Sequence, residues 1–199
     1  MSDWEQRLFS AAAVELTLRG FAHADVDQIA ESAGIGRDAF CDRFPDKRSL
    51  MLALIDEIAS FHRNSILEEL EGLQNPTERL VQFITTSLSF VERYPAYAQI
   101  IVIALFSNDD EIKNRVYETY ENVFTLIIDD FMDIGIIKSK SPALLSDLST
   151  ILLSFIFTGG CPHILLEYSS WLDPKRVSMS ILDGLRRHYL TSNGKGRFI

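Results

Sequence analysis

Residues 26–47 constrain this chain more than any other stretch. Val26, Ile29, Ala30 and Ala33 fall at i, i+3, i+4 and i+7, the apolar stripe of a short amphipathic helix. Gly34 follows at the point where a helix is expected to end on one left-handed residue. A second short segment then carries Phe40 and Phe44 four apart, on one face. Two short helices joined by a glycine-containing turn form a helix-turn-helix pattern, whose second helix can lie in a DNA major groove. An ordinary helical hairpin has the same spacing, so the flanking residues decide between the two.

A helical pattern from Trp4 to Arg19 precedes the pair, with Leu8, Phe9, Ala12 and Leu16 on one side and Gly20-Phe21 at its end. After the pair, Phe44-Pro45-Asp46-Lys47 leads into a long helical pattern that runs to Glu71 and stops at Gly72. Leu50, Leu54, Ile55, Ile58 and Phe61 face inward along it. Asp25 is placed to cap the second helix. Asn75-Pro76 starts a fifth helix and Tyr94-Pro95 ends it. The sixth, from Pro95 to Phe106, is apolar nearly all round and therefore buried. Asp109 caps a seventh that continues to about Gly135. Ser141-Pro142 opens an eighth, interrupted at Gly159-Gly160 and Pro162, and Asp173-Pro174 caps a ninth that ends near Leu190. The tail from Thr191 is expected to fray. The reading is all-α, with about nine helices and no sheet. Residues 1–48 are read as a three-helix domain with the helix-turn-helix, and residues 49–199 as a second helical domain.

Composition narrows the class. The chain has 199 residues, 47% of them hydrophobic, enough for a substantial core. Its formal net charge is −9, so any nucleic-acid contact rests on a local patch and not on global charge. The two cysteines, Cys41 and Cys161, argue against a disulfide framework and for a reducing compartment. The first residues include Asp3 and Glu5 and no apolar core, unlike a signal peptide. Apolar runs such as residues 100–106 are too short to span a bilayer. A cytoplasmic protein without membrane contact is expected.

The block from Arg19-Gly20-Phe21 through Ile29-Ala30-Glu31-Ser32-Ala33-Gly34-Ile35 to Phe40 and Phe44-Pro45-Asp46-Lys47-Arg48-Ser49-Leu50 resembles the amino-terminal domain of the tetracycline-repressor (TetR) family. The resemblance covers about the first quarter of the chain. It implies a homodimeric transcriptional repressor that binds a double-stranded operator and is released by a small-molecule effector. Gly36, Arg37, Asp38, Ala39, Cys41 and Arg43 then face DNA, joined by Lys47, whose counterpart contacts the backbone. Arg37 suits a phosphate or the O6/N7 edge of guanine, and Arg43 a phosphate. Lys47 sits at a helix start, where free N–H groups also favour phosphate.

The departures from the family pattern concern the same helix. The family commonly has Ser or Thr at the position of Gly36, a small residue at that of Asp38 and Thr at that of Ala39. It has a phosphate-binding Tyr at that of Cys41, and often Tyr or His at that of Arg43. Within residues 1–50, carboxylates outnumber the six basic side chains, a poor balance for a phosphate-facing domain. A helical ligand-binding or protein-interaction dimer with weakened DNA affinity is therefore the competing reading.

Aromatic residues concentrate in the carboxy-terminal part. The resemblance implies an effector pocket bounded by the fourth to eighth helices, and Tyr94, Tyr97, Tyr117 and Tyr120, with Phe124 and Phe155, are its expected lining. The effector expected there is apolar or amphipathic. For any single aromatic, plain core packing is the commoner role. The eighth helix is apolar on more than one side, which calls for two burial partners, and the resemblance implies that the last two long helices pair across a two-fold axis. Cys161-Pro162-His163 has no matching ligand pair nearby and His62 stands alone, so no metal or cofactor is expected. No Ser/His/Asp arrangement or phosphate loop suggests an enzyme.

Overall fold

A computed structural model of the chain describes residues 3–135 and 141–159, with 176, 179, 180 and 182–184 towards the carboxy terminus. Nine α-helices and no strand occur among them. They are α1 (Asp3–His23), α2 (Val26–Ala33), α3 (Arg37–Arg43), α4 (Lys47–Leu70), α5 (Pro76–Arg93), α6 (Pro95–Leu105), α7 (Asp110–Phe124), α8 (Ile128–Asp133) and α9 (Pro142–Leu153). A 3₁₀ turn, Thr125–Ile127, joins α7 to α8, and a π turn, Ser154–Gly159, continues α9. The expected ninth helix, the Cys161-Pro162-His163 triplet and the tail lie outside the described residues.

Two compact units divide the chain. Unit 1 comprises residues 1–60 and 94–119, and unit 2 comprises residues 61–93 and 120–199. In unit 1, α1 packs on α2 and on α6, and α2 on α3. Leu8, Phe9, Ala12, Ala13 and Leu16 of α1 are buried there with Ile29, Ala30 and Ala33 of α2. In unit 2, α5 packs against α8 and against the π turn. Phe83, Ile84, Phe131, Leu148, Leu152 and Phe157 are buried in that unit.

The helix boundaries follow local chemistry. Gly20 breaks α1 with φ 72° and ψ 165°, and one further turn follows to His23. Asp25 caps α2 by accepting from the Asp27 N–H at 2.9 Å. Asn75 Oδ1 accepts from the N–H groups of Thr77 and Glu78 at the start of α5, and Asp109 Oδ1 does the same for Glu111 and Ile112 at α7. Each such cap satisfies donors that a helix start leaves free and is worth about 1 kcal/mol.

Two expectations are corrected. The single seventh helix from Asp109 to Gly135 is broken at Thr125–Ile127. Thr125 Oγ1 donates to the Asn122 carbonyl at 2.7 Å, a local bond that competes with regular helix geometry. The sixth helix is only partly enclosed: Ala98, Ile100, Ile101 and Ala104 are buried, whereas Phe106, just past its end, is 73% exposed.

Candidate functional site

The turn between α2 and α3 is set by backbone geometry. Gly34 adopts φ 69°, a left-handed conformation that side chains with a Cβ resist. The Gly34 N–H donates to the Glu31 carbonyl and the Ile35 N–H to the Ala30 carbonyl, both at 3.0 Å. This paired closure satisfies the last carbonyls of α2 and reverses the chain. Helix α3 then begins after Gly36, which has no side chain to cap it. Phe40 and Phe44 are buried and their rings lie 5.8 Å apart, with Phe44 6.2 Å from Phe9 of α1. That anchoring leaves Gly36, Arg37, Asp38, Ala39, Cys41, Asp42 and Arg43 exposed. Cys41 is a free, exposed thiol.

The electrostatics of this surface were not foreseen. Each arginine of residues 3–50 holds a carboxylate: Arg7 with Asp3, Arg19 with Glu15, Arg37 with Asp27, Arg43 with Glu5 at 3.5 Å and Arg48 with Asp109 at 2.6 Å. Lys47 is half-buried. Its ammonium donates to the carbonyls of Ala22 and Ala24 at 2.9 and 3.1 Å and lies over the Phe21 ring. An ammonium has three donors, so one remains for a phosphate. At the start of α4, Asp46 Oδ1 accepts the Ser49 N–H at 2.7 Å, and Ser49 Oγ faces the Asp46 N–H at 3.3 Å. These bonds and nearby Arg48 hold the Asp46 carboxyl below its ordinary range. The helix-end donor expected to favour phosphate is thus already bound to a carboxylate. The Arg37–Asp27 pair is largely solvated, whereas Glu5 of the Arg43 pair is mostly enclosed; an exposed pair contributes about 0–1 kcal/mol, little enough for a phosphate to displace Asp27.

The expected pocket residues separate into two groups. Tyr94 and Tyr97 stack on each other in unit 1, with centroids 6.1 Å apart. Burial raises the Tyr97 hydroxyl above its ordinary pKa, opposed by a hydrogen bond with Ser10. Tyr117, also in unit 1, is 41% exposed. Tyr120 and Phe124 belong to unit 2 and are buried, whereas Phe155 in the π turn is half-buried.

Around Tyr120 lies an aromatic cluster centred on His62 of α4, a residue that sequence reasoning left as a packed or surface histidine. The His62 ring stacks on Phe90 at 4.4 Å and meets Tyr120 at 5.9 Å and Phe157 at 6.0 Å. Tyr120 is 5.1 Å from Phe157 and 6.0 Å from Phe124, which meets Phe83 at 5.9 Å. Both His62 ring nitrogens, Ser87 Oγ and the Tyr120 hydroxyl are buried without a hydrogen-bond partner. Burial pushes the His62 pKa down to about 3 and raises that of Tyr120 well above its ordinary value. Each unpaired buried group costs about 1–3 kcal/mol. A cavity of about 10 Å³, the size that holds one water, adjoins the cluster through Phe124 and is lined also by Glu121, Thr125, Ile128, Phe131, Leu148, Ser149 and Leu152. A second buried polar contact in this unit is satisfied: Arg79 Nε donates to both Asp130 oxygens at 2.9 and 3.0 Å.

Residues 8–54 match the family model described as bacterial regulatory proteins, tetR family. The amino-terminal segment thus matches the tetR family. The helix-turn-helix just described falls within the matched residues, and the role it brings is that of a DNA-binding transcriptional regulator rather than an enzyme. Whole-chain likeness to solved structures extends the fold beyond the matched region. FadR from Bacillus subtilis, solved in complex with stearoyl-CoA, is 18% identical with a TM-score of 0.72, over 91% of this chain and 97% of that one. The fatty acid degradation regulator FadR from Bacillus halodurans is 14% identical with a TM-score of 0.70, over 97% and 100%. A tetR-family regulatory protein from Rhodococcus RHA1 is 18% identical with a TM-score of 0.66, over 94% and 97%. No curated protein matches the sequence. Among the described residues, no group of histidines, cysteines and carboxylates is arranged for a metal, and no helix is long and apolar enough to cross a membrane.

Proposed function

We propose that this chain is a cytoplasmic, homodimeric TetR-family repressor that leaves its operator when a small apolar or amphipathic effector binds. Residues 1–48 read DNA; residues 49–199 take the effector and form the dimer. The observation that carries the DNA part is the sorting of α3: Phe40 and Phe44 are buried, while Gly36, Arg37, Asp38, Ala39, Cys41 and Arg43 are exposed. Arg37 and Arg43 exchange their carboxylates for phosphate or a guanine edge, and Lys47 adds its third donor to the backbone.

The effector part rests on the His62–Tyr120 cluster, which combines apolar rings with unpaired polar atoms, the composition of a small-molecule site. The stearoyl-CoA in the B. subtilis relative supports an effector with a long apolar body. Of the six residues first expected to line the pocket, Tyr120 and Phe124 are the ones in this cluster. Helix α4 runs unbroken from Lys47 beside the reader to Leu70 and carries His62 on the way, so it is the element through which an effector biases the reader. Such coupling requires different effector affinity in the DNA-bound and free conformations. Dimerisation is assigned to α9 and the residues beyond it, on the grounds that Ile151 is exposed on α9 while Leu148 and Leu152 are buried.

The acid-paired arginines and the exposed Asp38 and Asp42 favour a second reading, an effector-binding dimer with weak DNA affinity. Titration with genomic duplex fragments at two salt concentrations separates the two. Binding that weakens steeply with salt supports the regulator, and no binding at low salt supports the interaction dimer.

A further inference from the structure

His62, Ser87 and Tyr120 come from three helices, and all carry buried polar atoms without a hydrogen-bond partner in the same unit. The His62 and Tyr120 rings are 5.9 Å apart. Ser87 lies four residues after Phe83 and three before Phe90, on the α5 face that carries both rings. Phe90 is the ring stacked on His62, and Phe83 meets Phe124 beside Tyr120. All three side chains are fully buried. Natural folds seldom leave buried polar groups unpaired, and three in one unit require a reason. The small cavity against Phe124 gives the packing room to open on that side.

The charge inventory then limits what fits. Among residues 61–93, 120–135 and 141–159 of unit 2, the basic side chains other than His62 are Arg63, Arg79 and Arg93. Arg63 and Arg93 are exposed. Arg79 is taken by Asp130 and by the Leu73 carbonyl. Burial keeps the His62 imidazole neutral at physiological pH. The cluster therefore offers one imidazole donor, one imidazole acceptor and two hydroxyls that each donate and accept, with no formal charge. A carboxylate or phosphate would lose its hydration there and gain no buried, unpaired cation among the described residues of this unit.

The geometry points to His62, Ser87 and Tyr120 as the polar end of an effector site that selects an apolar molecule bearing one uncharged hydrogen-bonding group, such as an alcohol or an ester or thioester carbonyl. This assignment rests on the effector reading proposed above. The aromatic cluster opens around the ligand, and the hydrogen bonds formed to the three groups offset that rearrangement.

The test uses the full chain and three ten-carbon probes below their micelle concentrations: decan-1-ol, methyl decanoate and sodium decanoate at pH 8. Calorimetry and thermal unfolding read the binding. The two neutral probes are expected to bind at least 10-fold more tightly than decanoate. His62→Phe, Ser87→Ala and Tyr120→Phe are each expected to weaken the neutral probes about 5- to 10-fold, the loss of one hydrogen bond. Each variant also removes an unpaired buried group, so the free protein's Tm holds or rises, which separates a lost contact from a lost fold. Decanoate binding as tightly as decan-1-ol, or unchanged neutral-probe affinity in all three variants, overturns the polar-end assignment alone and leaves the effector site standing. No uptake of any probe overturns both the assignment and the effector reading.

Discussion

The buried His62 imposes a pH dependence on stability whose sign and size follow from its surroundings. In the fold it stays neutral down to about pH 3, whereas its ordinary value is 6.5. Between those values the unfolded chain binds a proton that the folded chain refuses, so stability is lost as pH falls below 6.5. The loss is ~1.4 kcal/mol per pH unit, or ~2 kcal/mol by pH 5. Phenylalanine at this position keeps the stacking on Phe90 and removes the titration. The remaining histidines, His23, His163 and His188, are common to both proteins and cancel in the difference. Urea unfolding followed by circular dichroism at pH 7.5 and pH 5 measures it: wild type should lose ~2 kcal/mol more than His62→Phe between the two conditions. Parallel losses in the two proteins would refute the burial argument and, with it, the uncharged character assigned to the cluster.

Other substitutions address the reader and the scaffold. Arg37→Ala should weaken operator binding, and Asp27→Asn should strengthen it about 3- to 10-fold at low salt by freeing Arg37 and removing a negative charge facing phosphate; opposite signs in a fluorescence anisotropy titration would contradict the partner-exchange account. Lys47→Ala should flatten the salt dependence of binding by about one unit and also cost about 1 kcal/mol of stability through the lost bonds to Ala22 and Ala24, so both are measured on the same preparation. Asp109→Ala removes the α7 cap together with the Arg48 pair and should cost about 1–2 kcal/mol in urea unfolding. Wild type should sediment as a dimer at micromolar concentration and Ile151→Glu should not, because a charge buried across an interface is expensive; a monomeric wild type removes the assembly proposal.

The sequence and the structure agree where local signals act alone. The Val26-Ile29-Ala30-Ala33 stripe, Gly34 in a left-handed conformation and the caps at Asp25, Asn75 and Asp109 depend on neighbours a few residues away, and all were readable. The break at Thr125–Ile127 was not, because Phe124, Leu126, Ile127 and Ile128 continue an apolar pattern with no glycine or proline to mark a stop. The aromatic cluster was half readable. Tyr120 and Phe124 stood out as aromatics, but the burial of His62 is set by Phe90, Tyr120 and Phe157, which lie far along the chain. Tyr94 and Tyr97 looked equivalent to Tyr120 in the sequence and belong to the other unit. The acid partners of Arg37 and Arg43 were likewise invisible, since Asp27 and Glu5 reach them only once α1, α2 and α3 have packed.

The central claim is that the exposed face of α3 reads double-stranded DNA. Selection of the full chain against a random duplex library at low and at physiological salt tests it most directly. The account predicts enrichment of a two-fold symmetric site whose half-sites are about one helical turn apart, with affinity that falls steeply as salt rises and is reduced in Arg37→Ala. No enriched sequence at low salt, from a protein shown to be folded, would contradict it.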